Sequence, residues 1–70
     1  MAKTYVTFGQ NHKHVINGKV IDKDCVVVFN VQCAYEGRSK AFETFGPKFC
    51  FEYFDTPPKM EYFPRGFIEL

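Results

Sequence analysis

Asp24-Cys25-Val26-Val27-Val28-Phe29-Asn30-Val31-Gln32 is the stretch that decides the fold. Its β-branched run favours a strand. Period-two alternation then sets Cys25, Val27, Phe29 and Val31 on one face and Val26 and Val28 on the other. Apolar side chains on both faces predict a central strand covered from both sides. Immediately downstream, Cys33 to Phe45 changes period: Ala34, Ala41, Phe42 and Phe45 fall near one helical stripe, while Glu36, Arg38, Lys40 and Glu43 are polar. This predicts one helix of about three turns. Gly46-Pro47 stops it, because glycine accepts the left-handed conformation past a helix end and proline cannot continue the helix.

The flanks extend the pattern in both directions. Lys3 to Gly9 alternates Tyr5 and Thr7 against Val6 and Phe8, a first strand. His14-Val15-Ile16-Asn17-Gly18-Lys19-Val20-Ile21 places Asn-Gly between two β-branched pairs, and both residues tolerate the positive φ of a type I′ turn. A short hairpin is predicted there. Beyond the helix, Lys48 to Phe54 alternates Phe49, Phe51 and Tyr53 against Cys50, Glu52 and Phe54, a strand with an aromatic face. Asp55-Thr56-Pro57-Pro58 breaks it, and Pro64 with Gly66 turns the chain into a short edge strand over Phe67 to Leu70. The order strand, hairpin, strand, helix, strand, strand predicts an α+β fold: a small, mostly antiparallel β-sheet with one α-helix on one face, one domain over residues 1–70.

Composition narrows the function classes. The 70 residues are 46% hydrophobic, with nine Phe and four Tyr, which excludes intrinsic disorder. Nine basic residues against eight acidic ones leave no basic footprint of the kind that nucleic acids or anionic membranes attract, so nucleic acid is not the favoured partner. No apolar run approaches the roughly 18 residues of a membrane span, and Met1 to Tyr5 lacks the apolar core of a signal peptide, so an intracellular, non-membrane protein is expected. Cys25, Cys33 and Cys50 cannot all pair within the chain and form no CxxC; reduced, mostly buried thiols are expected.

A single helix covers one face of a small sheet. Val26, Val28 and Phe54, with part of Phe63 and Phe67, are assigned to the other face, and a contiguous apolar patch of that kind marks an interaction site. A homo-oligomer or a protein partner using that face is expected. The opposing possibility is that the hairpin and the Tyr62 to Leu70 tail fold over it.

Chemistry-bearing constellations are sparse. Gln10-Asn11-His12-Lys13-His14 carries two imidazoles two residues apart, which point the same way on an extended segment. Asp22, Asp24 or a cysteine could add a third zinc ligand, but no pair shows a familiar ligand spacing, so neither metal nor cofactor is expected. Cys25 and Cys50 lie in apolar strand patterns that blunt thiol reactivity, and Ser39 sits mid-helix without a nucleophile elbow. The carboxylate pairs Asp22 with Asp24 and Glu43 with Glu52 have no acid/base spacing, so the chain is expected to be non-enzymatic. No glycine-rich phosphate loop occurs among the five isolated glycines. Cations interleave with aromatics at Lys48-Phe49 and Arg65-Gly66-Phe67, where bases could stack and Arg65 could meet a phosphate, although the same aromatics read better as core. Arg38 and Lys40 belong to a solvated helix face, from which Arg38 could reach an anionic partner. The candidate ligand- or partner-binding residues are therefore Gln10, His12, His14, Arg38, Lys48 and Arg65.

Several segments together carry a resemblance. They are Tyr5-Val6-Thr7-Phe8-Gly9-Gln10 with His12, Asp24-Cys25-Val26, Gly37-Arg38 to Ala41-Phe42-Glu43, Phe45-Gly46-Pro47-Lys48-Phe49-Cys50-Phe51-Glu52-Tyr53 and Tyr62-Phe63-Pro64-Arg65-Gly66. Across most of its length the chain resembles small uncharacterised proteins of tailed bacteriophages and prophages. That resemblance implies a viral protein working in the host cytoplasm. It implies a stoichiometric mode of action: inhibiting or sequestering a component of a host system, such as a defence protein. The alternative expectation is a module that binds a nucleotide or single-stranded nucleic acid.

Overall fold

A computed structural model describes residues 2–70. The elements are β1 (Ala2–Thr7), β2 (His14–Ile16), β3 (Lys19–Ile21), β4 (Cys25–Val31), α1 (Ala34–Phe45), β5 (Phe51–Phe54) and β6 (Gly66–Glu69), with a short 3-10 turn at Met60–Tyr62 before β6. Four strands form one sheet in the order β5-β1-β4-β6, and β2 and β3 form a separate hairpin. The architecture is the α+β arrangement that the sequence predicts, in the predicted order. Strand β1 pairs antiparallel with both β4 and β5, whereas β6 runs parallel to β4. The parallel pairing requires the chain to cross from one sheet edge to the other between β5 and β6, and residues 55–65 make that crossing.

Strand β4 is central as its two-faced apolarity predicts: Cys25, Val26 and Val27 are fully buried and Val28 and Phe29 nearly so. One face meets α1. Val6, Phe8, Cys25, Val27, Phe29 and Val31 join Ala41 and Phe45 of the helix and Ile21 of the hairpin in one core. Each large apolar side chain buried this way contributes about 1.5–3 kcal/mol. Phe8 and Phe45 meet edge to face, ring centroids 4.8 Å apart, a favoured aromatic geometry.

The helix faces the sheet with Gly37, Ala41 and Phe45. Ala34 and Phe42, expected on the inner stripe, are exposed. Gly37 takes the inner place because α1 crosses β1 so closely that a Cβ there would lie 1.8 Å from Thr4 Oγ1. The stop at Gly46 forms as expected: φ is +62°, and its N–H reaches the Phe42 carbonyl at 2.8 Å. Asn17 and Gly18 both take positive φ, 52° and 78°, at the hairpin tip.

The face opposite the helix differs from expectation. Val26 and Val28 are 0% and 4% exposed. Tyr5 of β1 and Phe67 of β6 flank β4 on that side, and their rings meet with centroids 5.5 Å apart, roofing the two valines. The hairpin instead packs on the helix side, where Ile21 is buried and Ile16 half-buried against the core. Phe54 also changes sides: it stands opposite Thr4, whose side chain faces Gly37, so it shares the helix face.

Candidate functional site

Three of the six candidate residues act as clasps on the hairpin. The His14 ring lies 4.8 Å from that of Phe45 and 5.7 Å from that of Phe8, centroid to centroid, and its Nε2 is 2.7 Å from the Lys48 carbonyl oxygen. A carbonyl only accepts, so Nε2 carries the proton and is not free to ligate a metal. Lys48 contributes its main chain to this contact, and its side chain is exposed. On the other strand, Arg65 donates to the Val20 carbonyl at 2.7 Å and to Asp22 Oδ1 at 3.3 Å, and its backbone N–H reaches the Asp24 carbonyl at 2.9 Å. Asp22 Oδ1 also accepts the Asp24 N–H at 3.0 Å, which fixes the turn between β3 and β4. The guanidinium expected to meet a phosphate thus joins the crossing segment to the hairpin. This ion pair is partly solvated, with side chains 42% and 26% exposed, and its worth lies in the geometry it imposes rather than in charge energy.

Gln10 is exposed and His12 half-buried in the loop before the hairpin. Although two residues apart, the imidazoles diverge in role, because only His14 enters the Phe8–Phe45 pair. Among the described residues no group of three His, Cys, Asp or Glu could hold a metal ion. Among them, too, no helix is long and apolar enough to cross a membrane.

The sixth candidate, Arg38, leads to a surface that the sequence placed elsewhere. Its guanidinium carbon stands 5.6 Å over the Phe42 ring, and Phe42 meets Phe49 nearly edge to face at 5.2 Å. Tyr35, Arg38, Ser39, Phe42 and Glu43 form one outer stripe of α1, bordering an open hollow of about 540 Å³. A smaller groove of about 250 Å³ runs between α1 and β5, lined by Arg38, Phe42, Phe49, Cys50, Phe51 and Glu52. Tyr35 is 80% exposed, Phe42 45% and Phe51 59%. The unpartnered aromatic surface thus lies on the outside of α1 and along β5. Its signal in the sequence was Tyr35, Arg38 and Phe42 at spacings of three and four, the neighbours of one helix face.

The thiols divide unequally. Cys25 is buried, whereas Cys33, at the N-cap of α1, and Cys50, ahead of β5, are exposed, contrary to the expectation that most are buried. Cys33 and Cys50 escape burial because each lies just outside its regular element, where the alternation that would turn it inward has ended.

No family model, no curated protein and no solved structure matches the chain.

Proposed function

We propose that this chain is a non-enzymatic interaction protein that binds a protein partner through the outer face of α1. The observation that carries this reading is the exposed Tyr35, Arg38 and Phe42 stripe, with Arg38 and Phe49 already holding the Phe42 ring in place. Tyr and Arg are over-represented among residues that dominate binding energy, and a ring held before binding loses little entropy on contact. The resemblance to phage and prophage proteins supplies the context: a stoichiometric factor in the host cytoplasm that occupies a host component, with defence proteins as the target class.

The nucleotide or single-strand reading fares less well. It draws on His14 and Arg65, whose polar groups are engaged within the chain. A phosphate ligand would have to displace those contacts.

Affinity capture from host lysate, comparing the wild type with Tyr35→Ala and Phe42→Ser, tests the proposal. A partner that wild type retains and both variants lose, by about tenfold or more in affinity, supports it. Equal retention by all three proteins overturns it. Binding of single-stranded oligonucleotide that weakens steeply with salt would transfer the argument to the second reading.

A further inference from the structure

From the free edge of the sheet we infer that two copies of this chain pair through β5, antiparallel, about a two-fold axis beside Tyr53, to give one eight-stranded sheet. The inference deepens the interaction reading by naming a partner for a different part of the surface.

The parity of the edge is fixed by its hydrogen bonds to β1. Asp55 donates its N–H to the Lys3 carbonyl at 2.7 Å, and β5 keeps a fixed register with β1: Phe54 opposite Thr4, Tyr53 opposite Tyr5, Glu52 opposite Val6. Hydrogen-bonded and non-hydrogen-bonded pairs alternate along an antiparallel ladder. Tyr53 and Asp55 therefore direct their N–H and C=O groups inward to β1, while Glu52 and Phe54 direct theirs outward; at the other end of β5 the regular ladder stops, the Cys50 N–H taking the Thr7 carbonyl at 2.8 Å. Those four outward groups are matched by an identical strand in one register. With Tyr53 opposite Tyr53 of the second copy, Glu52 of each copy pairs with Phe54 of the other, and all four groups on each strand are satisfied. Centring on Glu52 would form a single such pair and set like charges face to face, which is unfavourable.

Side chains favour the same edge. Strand β5 contains neither Lys nor Pro, and Glu52 is its one charged residue. It leaves Phe51 59%, Phe54 40% and Tyr53 39% exposed. The opposite edge, β6, has spent Phe67 over Val26 and Val28 and Ile68 against the core. At about 200 Å² per aromatic side chain, the exposed fractions of the β5 aromatics amount to about 300 Å² per copy. Such an area lies in the range of small, reversible interfaces, below roughly 1,200 Å² in total. The pairing is therefore of the weak, concentration-dependent kind.

Sedimentation velocity across a concentration series, with Glu52→Pro as the variant, tests the pairing. The proline ring replaces an N–H that points away from β1, so the monomer keeps its ladder while the new edge loses its donor. Wild type should dimerise and Glu52→Pro should remain monomeric with an unchanged monomer circular-dichroism spectrum. The register has its own test in a Cys33→Ser, Cys50→Ser background. Tyr53→Cys should form a disulfide dimer on oxidation, because non-hydrogen-bonded partners sit roughly 4.5 Å apart at Cα, and Phe51→Cys should not. A wild type that stays monomeric, a Glu52→Pro that dimerises equally well, or cross-linking through Phe51→Cys instead overturns the inference. Each of these leaves partner capture through Tyr35 and Phe42 standing, and loss of that capture leaves the dimer standing.

Discussion

Cys25 is held by Asp22 at both ends of its thiol: the Asp22 N–H donates to Sγ at 3.3 Å, and the thiol donates to the Asp22 carbonyl at 3.6 Å. Burial pushes this thiol above its ordinary range, an effect that the Asp22 N–H donated to Sγ and the Arg65 charge only partly offset. Two outcomes follow. In native protein a thiol reagent should modify Cys33 and Cys50 quickly and Cys25 only on unfolding, as mass spectrometry of the time course will show. A raised folded-state value also means that, once pH passes the ordinary thiol range, the unfolded chain binds fewer protons at this site than the folded one. Its contribution therefore lowers stability as pH rises there and is absent at neutral pH. Urea midpoints compared with Cys25→Ala across that range should show the slope in wild type only. At this scale the sequence was partly legible. The buried fate of Cys25 follows from its strand alternation, but the role of His14 depends on Phe45, 31 positions away in the chain, and no local pattern announces that contact.

Helix α1 is placed by its closest approach, Gly37 on Thr4. Alanine is intrinsically the better helix former by about 1 kcal/mol, yet a Cβ at this point would lie 1.8 Å from Thr4 Oγ1 and 2.7 Å from Thr4 Cβ. Gly37→Ala should therefore destabilise the protein by about 1–3 kcal/mol in urea titration, the usual cost of overpacking. The same crossing leaves Thr4 Oγ1 buried without a hydrogen-bond partner among the described residues. The elements themselves were legible because their causes are local: a valine run, an Asn-Gly turn, a Gly-Pro stop. The inner face of α1 was not, because an apolar-stripe argument selects Phe42 and passes over a glycine whose role is to be small.

For the whole molecule, the hairpin is fastened from two sides, by His14 to the Lys48 carbonyl and by Arg65 to Val20 and Asp22. Arg65→Met keeps much of the side-chain volume and removes both donors. Both bonds lie at a partly solvated site, so the loss should lower stability by only about 1 kcal/mol, and should speed amide exchange in the hairpin more than in β1 or β4. Uniform acceleration across all strands would contradict a local clasp. The position of β6 could not be read from the chain, since its parallel pairing with β4 joins segments about 40 residues apart. The covering of Val26 and Val28 by Tyr5 and Phe67 depends on that pairing. With no tryptophan and only four tyrosines, this ring pair also gives the protein its own optical label. Tyr35 and Tyr62 are largely solvent-exposed, so the tyrosine near-ultraviolet dichroism of dilute protein reports chiefly Tyr5, packed on Phe67, and Tyr53, beside Phe51, and through Tyr5 the docking of the last strand. A change in that signal with concentration would be the signature of Tyr53 meeting its copy.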